Sequence, residues 1–382
     1  MNRRECFEKA LKHEQPEKVL VDMGKQVGSL HKFEYARLKE YFGAPEWMQN
    51  EANILDKMGQ TVHPDEELLQ RFGIDFRWLI PRWVGVQEFA EDGKKGYYDM
   101  WGSRFDDMGD YYAFIEGPLK NAESLADIEN HNWPDPDNSA MFAGLREQAE
   151  AWHENTDYVI GVDGIKGGIL QSCLWLRGYE QFFTDLATNP EFALALLDKV
   201  LELFKQMYAN YFKEVGRHAQ LVYITDDVGT QNSLLISPRM FRKLIKPRFQ
   251  EFIAHLKQLA PHIKVMYHTD GAVLPLINDF VEMGADILNP IQTSTKGLDD
   301  TNALKAQFGD RIAFHGAIDV QQTLPNGSAE DVKQDVARRI RDLGPNGGYI
   351  CAPCHNLSFD IPPENVVALF EAAQEYGRYP LT

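Results

Sequence analysis

The sequence predicts an α/β fold, most simply a closed (β/α)8 TIM barrel. From residue 139 to the C-terminus, apolar strand-like segments alternate with amphipathic helical segments, which is the pattern of βαβ units and a parallel sheet. Two earlier candidates near the N-terminus raise the count to about eight strands, the number that closes such a barrel. The 382 residues suit one large barrel, so residues 1–382 are interpreted as a single domain. A doubly wound open sheet is the alternative.

The N-terminal part contributes two strands and an insertion. The apolar runs KVLVDM (18–23) and IDFRWLI (74–80) are predicted to be strands. Amphipathic spacing and turn residues predict helices at 3–12, 31–42, 51–58 and 64–72. Residues 82–135 are rich in aromatic residues, glycine and charge without a helical period, so we expect an inserted excursion of loops and short strands at about 82–135.

The remaining chain is regular. Short apolar runs rich in β-branched residues predict strands at 158–162, 220–225, 264–267, 286–290, 311–314 and 348–352. Longer amphipathic segments predict helices at 139–152, 178–187, 190–214, 238–259, 272–283, 301–308, 330–343 and 363–376. The alternation of the two sets favours a barrel whose strands all run in one direction.

Composition restricts the partners. The chain has 39 Lys and Arg against 57 Asp and Glu, a net charge of −18, which argues against nucleic acid and anionic membranes as ligands. No apolar run approaches the roughly 20 residues of a membrane span, and the N-terminus has no signal-peptide pattern. Four cysteines do not form a disulfide framework, so we expect a cytoplasmic protein with reduced thiols. The sequence leaves a homodimer open.

Polar side chains follow five consecutive predicted strands, where a barrel gathers its active site. These residues are Asp226, Asp227 and Gln231, then His268 and Asp270, then Asn289 and Gln292, then His315, and finally Cys351, Cys354 and His355. His268 and Asp270 are two apart, so both project to the same side if the strand continues. The alternative for each is a structural role, as a cap, a turn residue or a His–Asp pair. The glycine-rich segment 164–168 matches no nucleotide-loop fingerprint and is only a weak phosphate candidate.

The ligand types indicate a metal. His268 and Asp270 offer an imidazole and a carboxylate, and Cys354 offers a thiolate, a combination that suits zinc with one open position. The fifth and eighth strands lie across the mouth of a barrel, so a shared ion is geometrically feasible. Cys351 is expected to be a small buried apolar residue instead.

The second half of the chain resembles the uroporphyrinogen decarboxylase superfamily. The resemblance rests on four segments, beginning DDVGTQNS (226–249), YHTDGAVL (267–292), FHGAIDVQ (314–336) and GGYICAPCHN (347–372). It implies a (β/α)8 barrel and one of two chemistries: decarboxylation of uroporphyrinogen without a cofactor, or methyl transfer involving a corrinoid protein or a thiol, with zinc held by a His-x-Cys pair and a later Cys.

Two departures decide between these chemistries. The decarboxylases carry an arginine-rich N-terminal stretch, but residues 21–35 contain no arginine. His268 and Asp270 occupy the positions of the methyltransferases' His-x-Cys pair, with Asp270 replacing the cysteine, and Cys354 and His355 lie where the later Cys stands. The resemblance therefore implies a corrinoid-dependent methyltransferase component, closer to ether-demethylating members than to thiol-methylating ones.

We therefore expect an enzyme that moves a methyl group from a small O-methyl substrate, such as an aromatic methyl ether, to a corrinoid protein. A zinc ion held by His268, Asp270 and Cys354 would polarise the ether oxygen. Asp227 or His355 would protonate that oxygen as it leaves. The polar strand-end residues expected to bind substrate are Asn289, Gln292, His315 and Gln231. Two alternatives remain: a metal-free decarboxylase of a polycarboxylate, with Lys166 and Arg177 as its few basic candidates, and a non-catalytic binding protein.

Overall fold

Eight parallel strands form a nearly closed barrel in the computed structural model, which describes residues 1–44 and 53–381. The strands are β1 (Leu20–Val21), β2 (Phe76–Leu79), β3 (Val159–Val162), β4 (Leu221–Thr225), β5 (Lys264–His268), β6 (Ile287–Ile291), β7 (Ala313–Ile318) and β8 (Tyr349–Pro353). Each strand from β2 to β8 pairs with the next, and β8 pairs with β1. The predicted (β/α)8 barrel is confirmed.

One side chain spans the seam between β1 and β2. Asp75, directly before β2, donates its backbone N–H to the Val21 carbonyl and accepts the Val21 N–H through its carboxylate, both at 2.9 Å. Arg3 and Lys18 neutralise this buried carboxylate at 3.0 and 2.6 Å. Asp75 therefore replaces the ladder hydrogen bonds that would otherwise join the two strands.

Helices surround the barrel, most of them where the sequence predicts. They are Arg3–Leu11, Lys32–Phe42, Glu66–Arg71, Leu125–Glu129, Leu145–Asn155, Ile169–Arg177, Tyr179–Thr188, Pro190–Val215, Pro238–Met240, Lys246–Leu259, Ile277–Met283, Thr301–Phe308, Thr323–Asn326, Ala329–Leu343 and Pro363–Tyr376. A π-helical turn at Phe241–Ile245 joins two of them, and 3₁₀ turns lie at Ser139–Phe142 and Leu274–Leu276. Among the described residues, no helix is both long and apolar enough to cross a membrane.

The predicted helices differ from the structure at several positions, among them residues 51–58 and 169–177. The helix expected at 51–58 is wrong where it can be checked, because Ile54–Asp56 is a strand that pairs antiparallel with Thr61–Val62; residues 51 and 52 lie outside the described part. The helix Ile169–Arg177 was not predicted, because it is buried on nearly all sides and its sequence has no clear amphipathic period. Nearly all of it is buried.

The expected excursion exists and is a small sheet. Four antiparallel strands form it: Gln87–Glu91, Lys94–Tyr98, Arg104–Asp107 and Tyr112–Glu116. Tyr97 and Phe105 stack at 5.1 Å, and Trp175 of the helix Ile169–Arg177 contacts Phe105 edge-on at 5.4 Å. This aromatic cluster attaches the excursion to the barrel.

Alternation along the strands positions the polar groups. One interior layer is apolar and consists of Leu20, Phe76, Val159, Leu221, Met266, Ile287, Ala313 and Ile350. Because side chains two apart on a strand share a face, the next layer toward the carboxyl ends holds Asp22, Trp78, Tyr223, His268, Asn289 and His315. The barrel is therefore apolar inside and becomes polar at its C-terminal mouth.

Candidate metal centre

Three side chains converge at the ends of β4 and β5. His268 is the last residue of β5, Asp270 follows two positions later, and Asp227 lies just beyond β4. The His268 Nε2 atom is 3.8 Å from Asp227 Oδ1 and 3.7 Å from Asp270 Oδ2. One donor atom from each residue lies within 4.8 Å of the other two, a spacing that a single metal ion can span.

The two loops that carry these residues are fixed to each other. The Asp270 N–H donates to Asp227 Oδ1 at 2.8 Å, and the Val228 N–H donates to the Thr269 hydroxyl at 3.1 Å. Gly229 and Gly271 permit this close approach, because a Cβ on Gly271 would lie 2.4 Å from the carbonyl carbon of Gly229. Larger residues at either position would therefore separate the two carboxylates.

The three residues of the triad differ in exposure and in the direction of their pKa shifts. The His268 side chain is 3% exposed, whereas those of Asp270 and Asp227 are 27% and 40% exposed. Burial favours neutral His268, yet Asp270 and Asp227 raise its pKa above the ordinary value. Burial also opposes ionisation of Asp270, but the two neighbouring imidazoles lower its pKa, while burial and the Asp270 charge raise the pKa of Asp227. The three groups together favour a positive charge between them.

His355 lies beside the triad, on the Asp270 side. Its Nε2 atom lies 3.7 Å from Asp270 Oδ2, the same oxygen that faces His268, and its side chain is 42% exposed at the mouth. The two imidazole rings are 6.4 Å apart between centroids. His355, predicted as a catalytic residue, therefore adjoins the triad through Asp270.

Cys354 does not join this group in the part of the chain that the structure describes. Its buried thiol donates to the Ile291 carbonyl at 3.1 Å, and burial raises its pKa to about 12. Cys351 is fully buried, and burial raises its pKa to about 12 as well. A ligand role for Cys354 thus stays a prediction and would require the thiol to leave its carbonyl partner.

A buried hydrogen-bonded chain runs from His268 across the barrel. His268 Nδ1 is 2.6 Å from Asn289 Oδ1, and Asn289 Nδ2 is 2.6 Å from His315 Nδ1. His315 Nε2 is 2.8 Å from Asp22 Oδ2. Asn289 and His315, predicted to bind substrate, therefore have their polar atoms engaged inside the protein, and their substrate role stays a prediction.

Asp22 and Lys25 are site residues that sequence reasoning missed. The Lys25 ammonium is 3.3 Å from the Asp22 carboxylate, and the Trp78 Nε1–H donates to it at 2.8 Å, with all three residues buried. The sequence does contain a signal for Asp22: this residue comes directly after β1, just as Asp226 comes directly after β4. The predicted strand 18–23 includes Asp22, whereas β1 ends at Val21, so Asp22 is not predicted as a strand-end residue.

The two predicted glutamines differ in their position relative to the triad. Gln292 Oε1 accepts the Gly271 N–H at 2.7 Å, which supports the loop after Asp270. Gln231 is exposed, and its amide donates to the Ser294 carbonyl at 2.5 Å. The structure brings Gln292 next to the triad and places Gln231 at the rim.

The glycine-rich segment 164–168 is explained by packing. Gly168 precedes the helix Ile169–Arg177, whose first N–H groups are already occupied: Asp226 accepts from Leu170 at 2.9 Å and from Gln171 at 2.6 Å. A Cβ on Gly168 would lie 1.7 Å from the Thr225 carbonyl oxygen. A phosphate is therefore not expected at this helix start.

The donor set fits a divalent cation. Asp270 Oδ1 is buried without a hydrogen-bond partner in the protein, so one carboxylate lone pair has no protein donor to satisfy it. Two carboxylates and one imidazole supply oxygen and nitrogen donors of the kind that zinc, manganese and iron accept. Asp227, His268 and Asp270 would hold the ion, and His355 lies beside them at the exposed edge that faces the mouth.

Comparison with known proteins places these features in a family. The model of the uroporphyrinogen decarboxylase (URO-D) family matches residues 112–376. Proteins named uroporphyrinogen decarboxylase from Alkalilimnicola ehrlichii and Psychromonas ingrahamii are 25% and 24% identical to this chain, over 68% and 70% of it and 69% and 74% of their own lengths. The solved structure of a methyltransferase from Methanosarcina mazei superposes with a TM-score of 0.67 at 20% identity, covering 98% of this chain and 99% of that chain. This last similarity supports the fold.

Proposed function

The chain belongs to the uroporphyrinogen decarboxylase family, and we propose that it is a metal-dependent methyltransferase component. It would transfer a methyl group from a small O-methyl substrate, such as an aromatic methyl ether, to a corrinoid protein. The observation that carries this proposal is the convergence of Asp227, His268 and Asp270, with His355 beside them, at the mouth of the barrel.

The chemistry requires help at the ether oxygen. Breaking the carbon–oxygen bond leaves the electron pair on oxygen, and an alkoxide or phenoxide leaves poorly unless this charge is stabilised. A divalent cation, which we propose to be zinc, would supply Lewis-acid polarisation of that oxygen when bound. Asp227 would itself bind the ion and stay deprotonated, so His355, which is 42% exposed at the mouth beside Asp270, is the better-placed proton donor for the leaving oxygen.

The open mouth suits a macromolecular acceptor. The nucleophile in this chemistry belongs to a corrinoid rather than to a side chain, so the cofactor must approach the candidate metal centre from outside. Asp227 and His355 are both more than a third exposed, so this edge of the centre is accessible. A partner corrinoid protein docked over the mouth is therefore part of the proposal.

The names of the relatives favour a second candidate, decarboxylation of a polycarboxylate without a metal. Such a substrate needs cationic side chains. The basic candidates from the sequence are already engaged: Lys166 with Asp56 at 2.8 Å, and Arg177 with Asp185 at 2.8 Å and with three backbone carbonyls. Lys25 is buried against Asp22. These pairings weigh against the decarboxylase.

One experiment separates the two. The full chain is loaded with zinc and incubated with 2-methoxyphenol and reduced cobalamin, before and after chelation, and demethylated phenol is measured. We expect turnover that chelation abolishes and added zinc restores. Activity toward uroporphyrinogen that survives chelation, without any demethylation, would overturn the proposal. Because 2-methoxyphenol is one ether of a class, a small panel of aryl and alkyl methyl ethers is assayed in parallel.

A further inference from the structure

We infer that Asp22, His315 and Asn289 form a positioning chain that fixes the proton of His268 on Nδ1 and directs the Nε2 lone pair toward Asp227 and Asp270. This deepens the proposed function and rests on it for the identity of the metal. None of these three residues touches the reacting atoms, so each would act through His268.

The direction of the chain follows from its buried end. The Asp22 carboxylate only accepts hydrogen bonds, and although burial opposes its charge, Lys25 and His315 lower its pKa to about 2. His315 Nε2 must therefore carry the hydrogen in the 2.8 Å contact with Asp22. Burial lowers the pKa of His315 to about 4, so the ring is neutral and its Nδ1 atom can only accept.

The donor and acceptor in the next two hydrogen bonds, from Asn289 to His315 and from His268 to Asn289, then follow. A bare His315 Nδ1 requires a donor, which fixes the amide nitrogen of Asn289 on that side at 2.6 Å. The amide oxygen of Asn289 consequently faces His268 Nδ1 at 2.6 Å, and that nitrogen must carry a hydrogen. In neutral His268 the remaining nitrogen, Nε2, has no hydrogen and presents a lone pair.

The nearest charges alone would favour the other tautomer of His268, with the hydrogen on Nε2. Nε2 faces the carboxylate oxygens of Asp227 and Asp270 at 3.8 and 3.7 Å, and two acceptors favour a hydrogen on that nitrogen. The chain therefore opposes the nearest charges and keeps Nε2 available as a ligand. Hydrogen bonds of this kind to a metal-binding imidazole typically change metal affinity by 10–100-fold.

The test is the tautomer of His268 in the metal-free full chain. Nitrogen-15 NMR of histidine-labelled protein is recorded at a pH high enough for the ring to be neutral, and zinc affinity is measured separately by competition with a chromophoric chelator. We expect an Nδ1–H ring in the parent protein. In Asn289→Leu we expect an Nε2–H ring and zinc binding weakened about 10–100-fold.

Two variants at His315 keep the test independent of folding. His315→Gln retains one donor and one acceptor and should preserve the parental tautomer, whereas His315→Phe removes both and should lose it. Tyr349→Phe is the matched control, because it removes a buried hydrogen bond to the Gly316 carbonyl beside His315 without touching the chain. It should leave both the tautomer and the zinc affinity unchanged.

The outcomes separate this inference from the proposed function. An Nε2–H ring in the parent protein, or an unchanged Nδ1–H ring in both Asn289→Leu and His315→Phe, would overturn the positioning chain. The expected tautomer changes support the chain even if the parent protein binds no zinc, a result that would instead overturn the metal-dependent function.

Discussion

Removing ligands one at a time should rank the donors of the metal centre. Structural zinc sites bind with roughly 10–16 kcal/mol over four ligands, which is about 2.5–4 kcal/mol per ligand, or roughly 10²–10³-fold in dissociation constant. His268 is almost completely buried and held by Asn289, so water cannot easily replace its nitrogen. We therefore expect His268→Ala to weaken zinc binding by this full amount.

Removing either carboxylate should weaken zinc binding less than removing His268 does, and the more exposed carboxylate should have the smaller effect. Asp270 is 27% exposed and also faces His355, so Asp270→Asn should weaken zinc binding by about 10²-fold. Asp227 is 40% exposed, and a water molecule can take its place, so Asp227→Asn should cost only about 10-fold. The side-chain oxygen of Asn can still accept the hydrogen bond from the Asp270 N–H, so the loss in Asp227→Asn reports the missing ligand charge rather than a broken loop contact.

The assay is competition between the metal-free full chain and a chromophoric chelator for zinc, with circular dichroism to establish that each variant is folded. Cys354→Ala is the discriminating variant, because the thiol contacts the Ile291 carbonyl and lies outside the triad. We expect its zinc affinity to equal that of the parent. If Cys354→Ala weakens binding as much as His268→Ala does, the ligand set contains the thiolate, and the inference from the described geometry is wrong.

Three further predictions concern stability. Asp75→Ala should lower the free energy of unfolding in urea by about 2–4 kcal/mol, because it leaves the buried Val21 N–H without an acceptor; a parental value would show that the seam does not depend on this carboxylate. Burial raises the pKa of Glu34 from 4.5 to about 8, so the folded state holds a proton that the unfolded state releases, and stability should fall as pH rises between these values. In the parent protein the urea midpoint should be lower at pH 8 than at pH 5, and Glu34→Gln should remove the share of this difference that comes from Glu34. If the pH profile of the variant equals that of the parent, Glu34 is not the group that holds the proton. Gly168→Ala places a Cβ 1.7 Å from the carbonyl oxygen of Thr225, the last residue of β4, so thermal stability and zinc affinity should fall together. Parental values for both would show that Gly168 does not pack closely against the end of β4.

The sequence was sufficient for the barrel and for part of the centre because both depend on short-range periodicity. A period of two along β5 predicts that His268 and Asp270 share a side, and the structure places their donor atoms 3.7 Å apart. The alternation of strands and helices likewise predicts the order of the eight strands. Neither prediction requires knowledge of contacts between distant segments.

Contacts between segments that are distant in the sequence could not be predicted from periodicity. The partner of the Cys354 thiol is the Ile291 carbonyl, which depends on how β6, β7 and β8 are staggered, and spacing along the chain carries no information about stagger. Asp22 meets His315 although 293 residues separate them. A helix such as Ile169–Arg177, buried on nearly all sides, also lacks the amphipathic period on which its prediction would depend.

Asp270 stands where the resemblance to the methyltransferase members leads us to expect the cysteine of a His-x-Cys pair, and a carboxylate at this position has a chemical consequence. Thiolates donate much charge to a bound cation, which reduces its ability to polarise an oxygen ligand, whereas carboxylate and imidazole donors leave more positive charge on the ion. Thiol methylation needs a nucleophilic sulfur and tolerates a weak Lewis acid, but cleavage of a methyl ether needs charge stabilisation on the leaving oxygen. The arrangement of Asp227, His268, Asp270 and His355 therefore suits an oxygen leaving group better than a sulfur nucleophile, and Asp270→Cys should strengthen zinc binding while it slows ether cleavage.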